Sequence, residues 1–295
     1  MYSSSSATEF LDLSLDDGRR LQLVFKDLSR DALLETARAT KPSFLYNPLR
    51  EIRTYELVLP RHDLGTPTFY GAIVDPFRDR YWLFLEKVAG VELYQVGDVD
   101  VWNAVVCWLA ALHDRFADDL QSLSTLPVPF VHFDADFFRL WAERAAAFAP
   151  VPLRAALEHI RASYEPVVDR LASLPRTFIH GEFYAPNVLV RHDERSGTVC
   201  PVDWEMAAIG TGLIDVAALT TGGWSSTDRA SLEESYRVAR RSLDLDERDF
   251  SEALDCCRLD GCLRWLGWAK AWSPPPQHAH DWAAEAMGLA DRLGL

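Results

Sequence analysis

Two alternating stretches, Glu9 to Leu15 and Arg19 to Asp27, stand on either side of Asp16-Asp17-Gly18. Period-two apolar spacing around such a turn predicts a β-hairpin. Ser29 to Arg38 reads as helix and 42–48 as loop. From Pro48 onward Leu49, Ile52, Tyr55, Leu57 and Val58 recur at helical spacing, with Pro48 at the start and Pro60 at the end. Thr68 to Val74 and Arg80 to Val88 then read as two strands joined by a proline-bearing turn. At Gly90 the texture changes and helical periods take over. Val101, Ala104, Val105, Trp108, Leu109 and Leu112 mark a helix over 100–116. Further helices are predicted over 134–149, 153–174, 214–220, 227–241, 247–268 and 280–293. The only strands expected in this second part are short: Phe178-Ile179, Val188 to Val190, and Val199 to Val202. The pattern predicts an α+β fold of two lobes. A small mixed sheet-and-helix lobe spans 1–88, and a larger, mainly helical lobe spans 89–295. That order would place a nucleotide in the crease between lobes.

Composition narrows the partners. Thirty Lys and Arg against forty-four Asp and Glu leave a net charge of -14 in 295 residues. Such a surface repels nucleic acid and anionic membranes and favours neutral or cationic partners. No apolar run is long enough to span a bilayer and no leader precedes the hairpin, so the cytoplasm is the expected compartment. Five cysteines show no zinc spacing and read as reduced packing residues. His113, alone at a helix end, reads as structural or capping.

The sharp chemistry lies in 178–215, FIHGEFYAPNVLVRHDERSGTVCPVDWEMAAIGTGLID. Short strands here deliver Glu182, Asn187 and Asp203 to neighbouring loops. A carboxylate, a carboxamide and a second carboxylate suit a metal-bound phosphate and an acceptor hydroxyl.

These residues resemble the aminoglycoside phosphotransferase and choline kinase family, small-molecule kinases with the protein-kinase-like fold. HGEFYAPN follows the spacing H-x-D-x-x-x-x-N, and VDWEMAAIGTGLIDVA is similar to the family's metal-binding segment. The resemblance implies ATP and Mg2+ as cofactors. It implies that Lys26, held by Glu51, contacts phosphates, and that Asn187 and Asp203 ligate Mg2+. Glu86 and Val88 would bind adenine through their backbone at a hinge, and Ser5 and Ser6 would lie in the phosphate-covering loop. Asp215 would brace the catalytic loop by accepting backbone N–H groups, with His180 structural beside it.

Two departures qualify the resemblance. Glu182 stands where the family has the catalytic Asp, and the small lobe is expected either to lack its first strand here or to be a shortened version. A glutamate keeps the basicity with one more methylene, so an active kinase with Glu182 as base is the favoured reading. A non-catalytic pseudokinase that keeps the fold is the rival. The acceptor is expected to be a small hydroxyl compound. The acids Asp114, Asp118, Asp119, Asp134, Asp136 and Glu143 would suit a cationic one. The aromatics Phe137, Phe138, Trp141, Trp265, Trp268 and Trp272 would suit a bulkier one.

Overall fold

The computed structural model describes residues 5–191, 199–270 and 280–295. Expectations placed on Ser3, Ser4, the turn-prone segment 192–197, Trp272 and the prolines 274–276 lie outside the described residues.

In chain order the elements are β1 (Thr8–Ser14), β2 (Arg20–Asp27), α1 (Glu35–Thr40), α2 (Pro48–Arg53), β3 (Phe69–Asp75), β4 (Arg80–Glu86) and β5 (Gly90–Glu92). Then come α3 (Val99–Asp118), α4 (Leu120–Leu123), β6 (Val131–His132), α5 (Ala135–Phe148), α6 (Arg154–Ala162), α7 (Glu165–Ser173) and β7 (Arg176–Ile179). The remainder is β8 (Val188–Arg191), β9 (Val199–Pro201), β10 (Ala208–Thr211), α8 (Leu213–Thr220), α9 (Ser226–Ala239), α10 (Glu247–Leu266) and α11 (Trp282–Leu293). This is the α+β class that the periodicities predict. The chain forms two compact units, each assembled from three segments: 1–104, 121–130 and 182–207 make one, and 105–120, 131–181 and 208–295 make the other.

The first unit is built on an antiparallel sheet in the order β1-β2-β4-β3. The predicted hairpin pairs Leu11 with Leu23 and Thr8 with Lys26, and β4 sets Leu83 against Lys26 from the other side. Lys26 therefore stands on a central strand, where its side chain is buried. Asn47 caps α2 by accepting from the Leu49 N–H, and Pro48 fills the first helical position, where its missing N–H costs nothing. The single helix expected up to Pro60 is instead short. After Arg53 the backbone widens into a π-turn over Thr54–Val58 and tightens over Leu59–Arg61. The ring of Pro60 would collide with the carbonyl four residues back and cannot donate to it, so a regular helix cannot run through this point. A second small sheet, β5-β8-β9, carries the residues on either side of the catalytic loop's end. At Gly90 a Cβ would come within 2.4 Å of the Val190 carbonyl oxygen, so only glycine lets β5 approach β8.

The second unit is helical around one small sheet in the order β6-β10-β7. The helix expected over 153–174 is two helices, because Pro166 can only sit in a first turn and restarts the chain as α7. Strands β5, β6 and β10 have no counterpart among the predicted elements. In β10 a Cβ on Gly210 would meet Phe133 Cβ at 2.8 Å and Ile179 Cδ1 at 3.0 Å, so glycine is needed at this position of the strand. The core is aromatic: Trp141, Phe116, Phe138 and Phe178 are fully buried. Phe116 and Phe178 meet edge to face at 4.9 Å.

Candidate active site

The site is assembled within the first unit. Lys26 Nζ donates to Glu51 Oε1 at 2.7 Å and to Asp203 Oδ1 at 2.8 Å. Three residues widely separated in sequence thus meet at one ammonium. Burial works against the charged form of Lys26, but the adjacent carboxylates of Asp203 and Glu51 outweigh it and hold its pKa above the ordinary lysine value. Glu51 is 1% exposed. Burial pushes its pKa up against the pull of Lys26, and the carboxylates of Asp203 and Glu205 push the same way.

Asp203 adopts φ 65°, ψ 61°, the left-handed region that non-glycine residues rarely enter. Backbone strain of this kind persists where surrounding structure over-determines it, and it concentrates at functional sites. Here the aspartate leaves β9 and enters the turn Trp204–Met206, with Trp204 fully buried. Asn187 Nδ2 donates to the Glu182 carbonyl at 2.9 Å, and Val202 N–H donates to the Asn187 carbonyl at 2.8 Å. The first bond ties the carboxamide to the loop backbone through its nitrogen. Glu182 is half-buried.

Arg50 and Glu205 join the site without having been singled out from sequence. Arg50, 4% exposed, ties three segments by donating to the carbonyls of Leu45, Pro129 and Glu205 at 3.0, 2.8 and 2.8 Å. Burial lowers its pKa to about 10, opposed by the carboxylates of Glu205 and Glu182. Glu205 pairs with Lys41 at 2.5 Å and accepts from Ser5 Oγ at 2.8 Å. Their positions were the available signal, one beside Glu51 and the other two residues past Asp203.

The remaining residues sort as follows. Ser5 is tied to Glu205 and Lys41, and Ser6 bridges to Leu33, so both lie beside the segment that follows Asp203. Glu86 closes β4. Its N–H donates to the Thr68 carbonyl, and its carboxylate binds Arg191 at 2.6 Å and Thr68 at 3.0 Å. Burial opposes ionisation of Glu86, but Arg191 and Thr68 hold its pKa below the ordinary value. Val88 lies in the short irregular segment before β5.

In the second unit, Asp215 at the start of α8 accepts from the His180 N–H at 2.7 Å and the Gly181 N–H at 2.9 Å, and all three residues are buried. Gly181 holds φ 84°, which explains the glycine after the histidine. His113 is fully buried, 3.3 Å from Asp215 through Nε2. Of the acids expected to receive a cationic acceptor, Asp114 pairs with Arg240, Asp134 caps α5 and Asp136 meets Arg139 at the surface. Phe137, Phe138 and Trp141 are core, while Trp268 stacks on Trp141 at 6.0 Å and Trp265 on Trp282 at 5.1 Å.

Residues 49–252 match the model of the phosphotransferase enzyme family, well over half of the chain. The chain belongs to this family. Membership makes it a phosphotransferase, as the catalytic-loop spacing implied, and the match takes in Glu51, Glu182, Asn187 and Asp203. Lys26 falls outside it and is tied to them by geometry alone. Among solved structures, the GDP complex of aminoglycoside 2'-phosphotransferase-IIIa has TM-score 0.62 at 16% identity, covering 98% of this chain and 92% of that one. Choline kinase from Cryptosporidium parvum Iowa II has TM-score 0.61 at 12% identity, with coverage of 99% and 86%. A microcompartment-associated aminopropanol kinase has TM-score 0.60 at 16% identity, with coverage of 96% and 89%. At these identities the likeness is one of fold. No curated protein matches the chain.

Proposed function

We propose that this phosphotransferase is an ATP- and Mg2+-dependent kinase that moves the γ-phosphoryl group to a hydroxyl of a small molecule, with Glu182 as the base. The observation that carries the reading is the buried ammonium of Lys26 held between Glu51 and Asp203. A lysine fixed on two sides points its charge in one direction, as a phosphate-binding cation must. The hinge in this reading is 86–88, between a nucleotide-binding part over 1–88 and an acceptor-binding part over 89–295, a functional division distinct from the two compact units, of which the first runs on to 104. Because the Glu86 N–H is spent on Thr68, an adenine contact there falls to its carbonyl and to the Val88 backbone.

The donor set fits Mg2+. Among the described residues no cluster of three or more His, Cys, Asp or Glu could hold a metal by itself. The Asp203 carboxylate and Asn187 carboxamide are hard oxygen donors of the kind Mg2+ takes one or two at a time, beside phosphates and water. When bound, the ion neutralises charge on the transferring phosphoryl group. The chain's own residues do the rest: Lys26 orients the phosphates, Asn187 anchors the loop through the Glu182 carbonyl, and the Glu182 carboxylate takes the proton from the acceptor hydroxyl. The acceptor oxygen forms the new P–O bond as the bond to the β-phosphate oxygen breaks and ADP leaves. Ser5 and Ser6 edge the phosphate end of the site. The acceptor class we favour is a hydroxyl compound bearing an amine, since the -14 charge draws cations and the structural neighbours include aminoglycoside, choline and aminopropanol enzymes. ATP chemistry and five cysteines without a disulfide fit the cytoplasm.

The test begins with thermal shift in ATP or GTP plus Mg2+, followed by a panel of amino alcohols, aminoglycosides and choline scored for acceptor-dependent nucleotide consumption. Glu182→Gln is expected to abolish turnover and leave nucleotide stabilisation intact. Absence of stabilisation by either nucleotide sinks the proposal. Binding without turnover on any acceptor supports the pseudokinase reading, which the Glu-for-Asp exchange at Glu182 favours.

A further inference from the structure

We propose that Tyr236, oriented by Arg240, is a positioning residue for the catalytic loop, acting through His113 on the Asp215 carboxylate. This rests on the phosphotransfer reading, in which the chain from His180 and Gly181 leads directly into the base Glu182.

The contacts form a line through the interior of the second unit. Asp114 Oδ1 accepts from Arg240 Nε at 2.7 Å, and the same carboxylate accepts from the Arg241 N–H at 2.8 Å and from Ser242. Arg240 Nη1 donates to the Tyr236 hydroxyl oxygen at 2.8 Å. That oxygen lies 2.8 Å from His113 Nδ1, and His113 Nε2 lies 3.3 Å from Asp215 Oδ2. Asp215 then holds the His180 and Gly181 amides. His113, Asp215 and Tyr236 are fully buried and Arg240 is 4% exposed, so no solvent competes for these bonds.

The two ends of the line fix its direction. A guanidinium only donates and a carboxylate only accepts. With its oxygen taken by Arg240, the Tyr236 hydroxyl is free to give its single hydrogen to His113 Nδ1. His113 then carries its own hydrogen on Nε2 and gives it to Asp215 Oδ2. The other tautomer would set a lone pair of Nε2 against the carboxylate. Burial keeps the imidazole pKa low, with Arg240 working the same way and Asp215 and Asp114 opposing, so the ring is neutral and has one hydrogen to place. Gly212 shows how tightly the line is packed. A Cβ there would lie 2.5 Å from His113 Nδ1, 2.7 Å from the Tyr236 hydroxyl and 2.8 Å from Arg240 Nη1.

Tyr236→Phe removes one hydroxyl and leaves every group around Asp215 in place. The expected result is about a tenfold fall in kcat with nucleotide KM changed less than about twofold. Proton–nitrogen correlation of the His113 ring is expected to show a single Nε2–H tautomer in the natural chain and a mixture in the variant. Amide exchange at His180 and Gly181 is expected to speed up by about tenfold. Gly212→Ala keeps all the polar groups but displaces them, and it should give the same signature if Tyr236→Phe does not fold. An Nδ1–H tautomer in the natural chain, or unchanged exchange and unchanged kcat in a folded variant, overturns the inference. A natural chain that never transfers phosphoryl overturns the proposed function and not the relay, which the tautomer and exchange readouts decide without turnover.

Discussion

Lys26→Met removes the one cation between two carboxylates, and the geometry sets the size of the effect. Both oxygens bond to the same nitrogen, at 2.7 and 2.8 Å, so they stand at most 5.5 Å apart. At an effective dielectric of about 20, two unit charges at that separation repel by about 3 kcal/mol. With Lys26 gone the repulsion loses that counter-charge, and the side chains of Glu51 and Asp203, 2% and 20% exposed, cannot both escape to water. The cheaper route is for one of them to take up a proton, which raises that carboxyl's folded pKa above its unfolded value. A raised acid pKa contributes stability that is present at low pH and lost as pH rises through the folded pKa. The loss caused by Lys26→Met should therefore be about 3 kcal/mol at pH 8 and fall to about 1 kcal/mol at pH 5. Urea unfolding of both proteins across this range, with the two units' transitions resolved, measures the difference. A loss that is the same at both ends, or larger at pH 5, refutes the argument. In the same samples the variant should also lose its stabilisation by Mg-ATP, which for the natural chain at a hundredfold excess over Kd is about 2.7 kcal/mol.

Arg50→Met should destabilise by about 3 kcal/mol, because it strands the carbonyls of Leu45, Pro129 and Glu205. Arg50→Lys should recover less than half of the loss in equilibrium unfolding, since one ammonium cannot reach three carbonyls held by a planar fork. Asp260 on α10 is fully buried, with Oδ2 on Arg264 Nε at 3.0 Å and Oδ1 without a hydrogen-bond partner. Burial raises its pKa from 3.8 to about 6, against the pull of Arg264. Its ionised form therefore costs stability as pH rises through that window. The stability of Asp260→Asn relative to the natural chain should improve by up to about 3 kcal/mol between pH 4 and 7. A flat difference over that range counts against a raised pKa.

Most long elements were legible because a single physical rule governs each. The Asp-Asp-Gly turn specifies the hairpin, and apolar spacing gives α3, α5 and α10 to within two residues at each end. The Lys26–Glu51 pair was legible only through the resemblance, since no spacing rule links positions 26 and 51, and the bond from Lys26 to Asp203 was not foreseen. What stayed hidden was set by packing. β10 looks like a loop because its glycine is required by Phe133 and Ile179, both distant in sequence. The break between α6 and α7 was readable at Pro166, but the strong apolar periods on both sides of it masked the signal. Arg50 and Glu205 were not singled out, because only the fold brings the carbonyls and the lysine to them.

The three-segment make-up of each compact unit bears on how the chain can be made and cut. The first unit needs residues as far as Ala207 and the second needs them from Val105 onward, so the two assembly intervals overlap by about a third of the sequence. During synthesis the hairpin and α2 emerge early, yet their unit cannot close until the segment 182–207 has followed them. A single nick in any linker should therefore release no stable fragment. Gene halves split at Val88 should need to be expressed together to give folded protein, whereas an ordinary two-domain chain would survive the same division.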